Sequence, residues 1–472
     1  MRIPAEVRKV HLVGIGGTAM AALAAMLHER GLLVTGSDQG IYPPMSEFLA
    51  QRGIPVLEGY GPHNLAADLD LVVIGNALSR GNPEVEEVLE RGLPYRSLPE
   101  VLREWFIQGK NSLVVTGTHG KTTTASLLAW ILFSAGRDPS FMVGGLPKGF
   151  SSGYRLGAGP EVVVEGDEYD TAFFDKRPKF LHYLPRIVTL GAVEYDHADI
   201  YPSLDHLMAA FRALLRVIPR GGRLILNGTD GNAASLGREA PCPVVRCTVE
   251  RGDGEWHACE VRLAQGRTIF RVRHRGEDVG DCTLGLVGRH NVLNALLALA
   301  AAHEVGVPVS ASLAALGTFQ GVRRRLECLG EMAGAVFYDD FAHHPTAIRS
   351  TLEALRGLHP SRRLWAVFEP RSNTMCLKVL QGDLIEAFGP ADLVVIGGVH
   401  RAERIPQEER LDPGAVVQEV RLRGREAWYL QSVPDIVTLL RGRVRPLDVV
   451  CIMSNGGFGG IHSLLREAFS EG

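Results

Sequence analysis

The stretch Val114-Val115-Thr116-Gly117-Thr118-His119-Gly120-Lys121-Thr122-Thr123 decides the fold of this chain. The apolar run Leu113 to Val115 reads as a strand and Thr123 to Ala135 as a helix, with a short Gly-rich loop ending in Lys-Thr between them. Such a loop turns successive backbone N–H groups toward one point at a helix N-terminus, where the unsatisfied donors favour phosphate. In a phosphate loop of this kind Lys121 reaches the β- and γ-phosphates of a nucleoside triphosphate, and the Thr122 hydroxyl holds Mg²⁺. Counted from Gly117 the spacing is one residue shorter than G-x-x-x-x-G-K-[ST], so the strand–loop–helix context carries the assignment. The plain alternative is an ordinary glycine-bearing turn.

Upstream, Val10 to Val13 reads as a strand, followed by Gly14-Ile15-Gly16-Gly17 and an Ala/Leu-rich helix to about Arg30. A second strand, Leu32 to Thr35, ends at Gly36-Ser37-Asp38. A βαβ opening with an acidic residue about twenty positions after the glycines is the pattern of dinucleotide-binding folds. Ala19 stands where that pattern has its third glycine, so the turn suits any diphosphate-bearing ligand and NAD is not established. Leu69 to Ile74 reads as a further strand, whose end at Gly75-Asn76-Ala77 faces the same crevice.

Downstream, Glu161 to Val164 is a strand running into Glu165-Gly166-Asp167-Glu168, and Arg186 to Leu190 is the next, ending near Glu194-Tyr195-Asp196-His197. Acidic residues at strand ends beside a phosphate loop are where such folds place metal ligands. Val244 to Val287 alternates apolar and polar residues with glycine breaks, which predicts a small antiparallel sheet. A long Ala/Leu helix opens at Gly288-Arg289-His290-Asn291, and strands at Val336–Asp340, Leu364–Glu369, Leu393–Gly397 and Val449–Met453 continue the βα alternation. The fold class is therefore α/β in three domains: a Rossmann-like domain over 1–109, a central phosphate-loop domain over 110–318, and a Rossmann-like α/β domain over 319–472.

A chain of 472 residues exceeds one compact core. Its net charge of −3 gives no reason to expect a nucleic-acid or membrane partner. The seven cysteines form no C-x-x-C pair, so neither a zinc ribbon nor a disulfide framework is indicated. The start, Met1 to Glu6, lacks a leader-like apolar core, and no apolar run approaches the roughly 20 residues of a membrane span; a cytoplasmic location is expected.

Together these pieces resemble the Mur ligase family, the ATP-dependent amide-bond ligases of bacterial cell-wall synthesis, on which cell shape and division depend. The resemblance rests on the Gly-Thr-His-Gly-Lys-Thr-Thr loop, Glu165, Tyr195-Asp196-His197, Gly288-Arg289-His290-Asn291-Val292-Leu293-Asn294, Gly321-Val322-Arg323-Arg324-Arg325-Leu326-Glu327 and Asp339-Asp340-Phe341-Ala342-His343-His344-Pro345. Within the family the chain is most similar to the branch that joins UDP-N-acetylmuramate to the recovered tripeptide L-Ala-γ-D-Glu-meso-diaminopimelate in peptidoglycan recycling. The stretches Gly75 to Pro83, Glu165 to Arg177 and Phe368 to Met375 carry that likeness. The alternative is the biosynthetic branch that adds L-alanine. Some branches bridge two Mg²⁺ ions with a carbamylated lysine, but here no lysine lies between Lys179 and Lys378.

The resemblance implies an acyl-phosphate mechanism, with Lys121, Glu165 and His197 catalytic. ATP would be held by Gly117, Thr118, His119, Gly120, Lys121, Thr122, Thr123, Asn291, Arg324, Asp339 or its neighbour Asp340, and His343, and Mg²⁺ by Thr122 and Glu165, with His197 on a second ion near the acceptor carboxylate. Glu168 is a reserve metal or substrate contact. The UDP-sugar would meet Gly14, Gly16, Gly17, Asp38 and Asn76, and the peptide Arg371, Ser372 and Asn373. Gly191-Ala192 departs from the asparagines the family usually carries before Glu194. Three domains around one site imply hinge closure.

Overall fold

The computed structural model describes residues 6–41 and 44–470, so Met1–Ala5, read above for a leader, lies outside the described residues. The first domain is a five-stranded parallel sheet in the order Val56–Glu58, Leu33–Asp38, Lys9–Val13, Leu71–Ile74, Tyr95–Ser97. The order reverses between Lys9–Val13 and Leu71–Ile74, and a crevice opens outside the strand ends at such a switch point. The Gly14–Gly17 turn, Asp38 and Asn76 all follow strands that end there.

The central domain is built on a ten-stranded sheet. Its middle strand, Asn111–Thr116, lies parallel to Glu161–Glu165 on one side and Ile187–Leu190 on the other. Leu113, Val114 and Val115 are buried, as a parallel strand covered on both faces requires. The predicted antiparallel strands are present as a meander of Trp256–Ala264, Arg267–His274 and Glu277–Leu284, fused to the parallel sheet through Val244–Val249 rather than standing apart. Behind the sheet the phosphate-loop helix Lys121–Ser134 packs on Arg289–Glu304, with Ala125, Leu128, Ile131, Ala295 and Leu299 fully buried. Both helices are apolar nearly all round, which marks them as interior.

The third domain holds a six-stranded sheet in the order Glu327–Met332, Ala335–Asp340, Val449–Met453, Leu364–Phe368, Leu393–Ile396, Glu426–Tyr429. The first pair is antiparallel and the rest parallel. The link into it is held by the central domain: the Lys148 amide donates to Gly321 O at 2.8 Å, and the Arg323 amide to Leu146 O at 3.0 Å. Among the described residues no helix is long and apolar enough to cross a membrane.

Candidate active site

The phosphate loop starts with two glycines that no other residue can replace without strain. Gly117 has φ +120° and Gly120 φ +77°. A Cβ on Gly117 would fall 2.9 Å from Gly191 N, and one on Gly120 2.4 Å from Asn294 Oδ1. Gly191-Ala192 closes on the loop through backbone: the Thr118 amide donates to Ala192 O at 2.8 Å, and a Cβ on Gly191 would stand 3.2 Å from His119 O. The helix begins at Lys121, two residues before the predicted Thr123. Its first turn carries no acidic residue, so its N–H groups and dipole remain available to an anion.

Lys121 Nζ donates to Gly117 O at 2.8 Å and to both oxygens of Glu168 at 3.0 Å. Glu168 is buried and also takes a 2.8 Å hydrogen bond from His197 Nε2. Burial opposes its charge, but the Lys121 cation and the His197 hydrogen bond hold its carboxyl down at about 2. For His197 burial likewise opposes the charge, yet the bond to Glu168 wins and raises the imidazole above its ordinary value. His197 is also held at φ +57°, a strained conformation for a non-glycine residue of the kind that collects at functional sites.

Glu165 lies on the other side of the loop. It accepts from Thr122 Oγ1 at 3.1 Å and from the Gly144 amide at 2.6 Å. Burial and the neighbouring Asp167 push its carboxyl up to about 7. A carboxylate and a hydroxyl converging beside a phosphate-binding loop are hard oxygen donors, the set that suits Mg²⁺.

A cavity of 160 Å³ runs from the loop into the interdomain cleft, lined by His119, Gly120, Thr123, Asn291, Asn294, Arg325 and Asp340 among others. Asn291 is anchored through Nδ2 to Val287 O at 2.8 Å and takes the Asn294 amide on Oδ1 at 3.1 Å. His343 donates from Nδ1 to Phe341 O at 2.9 Å, and burial pushes its imidazole down to about 4. Beyond His197 a second cleft of 190 Å³ is lined by Arg371, Ser372 and Asn373 with Asp196, Asp199 and Arg401. It is closed across the domains by Asn373 Nδ2 donating to Asp199 Oδ2 at 2.7 Å and the Ala198 amide donating to Thr374 Oγ1 at 3.0 Å. In the first domain Gly14 turns at φ +82°. Asp38 ties the turn down, accepting from Gly16 N at 2.6 Å and Tyr60 Oη at 3.1 Å.

Three family models cover the chain in order: "Mur ligase family, catalytic domain" over residues 9–109, "Mur ligase middle domain" over 115–302, and "Mur ligase, glutamate ligase domain" over 324–456. The UDP-N-acetylmuramate–L-alanyl-gamma-D-glutamyl-meso-2,6-diaminoheptandioate ligase of Escherichia coli (strain K12) is 42% identical across 98% of both chains.

This chain belongs to the Mur ligase family.

It is accordingly an ATP-dependent ligase that forms amide bonds. The UDP-N-acetylmuramate–L-alanine ligase of Clostridium novyi (strain NT) is 31% identical, again over 98% of both chains. Among solved structures, a murein peptide ligase from Psychrobacter arcticus 273-4 is 36% identical with a TM-score of 0.74, covering 98% of each chain. UDP-N-acetylmuramate-alanine ligase MurC from Thermotoga maritima superposes at a TM-score of 0.81, covering 98% of this chain and 99% of that one, at 24% identity, a likeness of fold.

Arg324 and Asp339, both expected on the nucleotide of this Mur ligase, are paired with each other in this structure. Arg324 faces into the third domain, donating from Nε to Asp339 Oδ2 at 3.0 Å and from Nη2 to Ser454 O and Gly456 O at 2.8 and 2.7 Å. Its neighbour Arg325 turns instead to the phosphate loop and donates to Thr122 Oγ1 at 3.2 Å. Asp339 is occupied by Arg324, while Asp340 lines the cavity. The run lies in a turn, with Arg324 at φ +59°, which sends neighbouring side chains to different sides, so a run of three arginines cannot reveal which one enters the site. His119, expected on the nucleotide, hydrogen-bonds through Nε2 to Glu194 Oε2 at 2.9 Å. His197, expected on a second Mg²⁺, is hydrogen-bonded to Glu168. Glu168 itself, held in reserve from the sequence, joins Lys121 to His197.

Proposed function

We propose that this Mur ligase joins UDP-N-acetylmuramate to the tripeptide L-Ala-γ-D-Glu-meso-diaminopimelate. A carboxylate does not condense with an amine near neutral pH because oxide is a poor leaving group. Transfer of the γ-phosphoryl of ATP to the lactyl carboxylate makes an acyl phosphate. The amine of L-Ala then attacks the acyl carbon, the C–O bond breaks, and inorganic phosphate leaves. The diphosphate of the UDP-sugar is assigned to the Gly14, Gly16 and Gly17 turn, with Asp38 holding that turn and Asn76 at its rim.

The protein contributes charge neutralisation and alignment. Loop amides and Lys121, released from Glu168, meet the β- and γ-phosphates, and Arg325 brings a second cation from the third domain. Thr122 and Glu165 are the residues that would hold Mg²⁺, which when bound neutralises phosphate charge. Asn291 and Asp340 line the cavity assigned to the nucleoside. Asp196 and Asp199 give the peptide cleft a negative wall that attracts an incoming ammonium group.

The observation that carries the choice of peptide over free alanine is the set of cations that line the third-domain clefts. Arg371 and Arg401 line the cleft beside His197, and a neighbouring 610 Å³ pocket that shares His400 and Arg401 adds Lys378 and Arg410 beside Glu369 and Asp412. A tripeptide with several carboxylates matches these cations, whereas L-alanine would leave the larger pocket unused. The likeness to the Escherichia coli peptide ligase supports the same choice. Phosphate release measured with ATP, Mg²⁺ and UDP-N-acetylmuramate tests it: stimulation by the tripeptide is expected, and stimulation by L-alanine alone would transfer the chain to the biosynthetic reaction.

A further inference from the structure

Two imidazoles from different domains converge on one carboxylate that the ligase chemistry leaves unused. His119 of the phosphate loop places Nε2 2.9 Å from Glu194 Oε2. His344, the N-cap of the third-domain helix Pro345–Leu358, places Nδ1 3.4 Å from the same oxygen. The ring centroids are 4.6 Å apart, and one donor atom from each of the three side chains lies within 4.8 Å of the others.

The protonation pattern of His344 follows from its partners. Nε2 faces Tyr195 O at 3.3 Å, and a carbonyl only accepts, so Nε2 carries the hydrogen. Nδ1 then bears a lone pair, in keeping with its acceptance of the Thr346 amide at 3.4 Å. That lone pair looks at the Glu194 carboxylate, 3.4 Å away. The Nδ1 lone pair and the carboxylate are both electron-rich, and a cation placed between them would be attracted by each. A ring N–H directed at a backbone carbonyl is also how metal-ligating histidines are oriented, and an ion at Nδ1 would displace the long Thr346 contact.

The donor set selects the metal. Two imidazoles and a carboxylate are the protein ligands of a three-residue zinc site with an open fourth position, and nitrogen donors disfavour Mg²⁺. Ligands about 2.0–2.1 Å from a tetrahedral ion stand about 3.3 Å apart, and the two separations from Glu194 Oε2, 2.9 and 3.4 Å, bracket that value. We propose that His119, Glu194 and His344 form a transition-metal site of the zinc class that ties the third domain to the phosphate loop. An ion bound there opposes domain opening and slows turnover, because release of product needs the hinge.

The test is a zinc titration of the full-length, chelator-stripped protein in excess Mg²⁺ without nucleotide, read by competition with a chromophoric zinc indicator and by melting temperature. One Zn²⁺ per chain and a raised Tm are expected. His344→Asn keeps a side-chain acceptor for the helix N-cap while deleting the imidazole, and Glu194→Gln removes the charge. Each should weaken zinc binding by about 10-fold or more and abolish the Tm shift, with circular dichroism confirming that both variants fold. Cys328→Ser, which removes an exposed thiol, should bind as wild type does. Absence of a stoichiometric zinc ion, or unchanged affinity in both ligand variants, overturns the proposal. No substrate enters the titration, so its outcome is independent of which amine the ligase uses.

Discussion

Replacing Glu168 with glutamine should cost about 3 kcal/mol of folding stability near neutral pH. Its carboxyl is held at about 2 against an ordinary 4.5, a difference of about 2.5 units, and each unit corresponds to about 1.4 kcal/mol. Truncating one partner of a buried ion pair independently gives about 3–5 kcal/mol, because Lys121 is left buried without its counter-charge. The pH dependence has a definite sign. A carboxyl with a depressed folded value stabilises fully above its unfolded value of 4.5 and loses that stabilisation as pH falls toward about 2. At about pH 4 the linkage relation already removes about 0.8 kcal/mol of the difference between wild type and variant. His197 works in the opposite sense: with its folded value raised, its share is complete below 6.5 and is lost as pH rises through the folded value. The assay is urea denaturation of wild type and Glu168→Gln at about pH 6 and about pH 4. A loss below about 1 kcal/mol at the higher pH, or a gap that fails to narrow at the lower, would refute the view of Glu168 as the ionised centre of a Lys121–Glu168–His197 chain.

Arg325→Ala should lower kcat by about 100-fold or more, the scale of losing a donor aimed at transition-state charge, whereas Arg324→Ala should mainly lower Tm by releasing Asp339 and two carbonyls; steady-state kinetics beside thermal melts separate them. Gly120→Ala should destabilise by about 1–2 kcal/mol from its left-handed backbone alone, with an added clash against Asn294. Pairing it with Asn294→Ala should recover only the clash in a chemical-denaturation double-mutant cycle. Arg371→Ala should raise KM for the tripeptide by about 10-fold or more, the worth of a charged hydrogen bond of about 1.5–3 kcal/mol, while KM for ATP stays level.

Local physics made most of the fold legible. A strand such as Asn111–Thr116 declares itself by an apolar run, and a loop such as Gly117–Thr122 by glycines whose positive φ values exclude other residues. The same holds for the first-domain turn, where Gly14 requires φ +82° and Asp38 follows at the end of the next strand. These features are contiguous in the chain, so residue type and spacing report them directly. The antiparallel meander was legible as strands but not as an extension of the parallel sheet, because periodicity describes one strand and not its neighbour.

What the sequence by itself determined, then, is the α/β plan, the strand–loop–helix of the phosphate loop, and the carboxylates that stand at the strand ends beside it. Tertiary structure alone decided which of them touch. Arg325 rather than Arg324 reaches Thr122 because the turn that carries them, with Arg324 at φ +59°, is set by the domain on each side. Glu168 became the counter-ion of Lys121, and Glu194 the meeting point of two histidines, because residues 47 positions apart in one case and 150 in the other are brought within hydrogen-bonding or ionic reach. Electrostatic pairing depends on distance and burial, and both are properties of the folded chain.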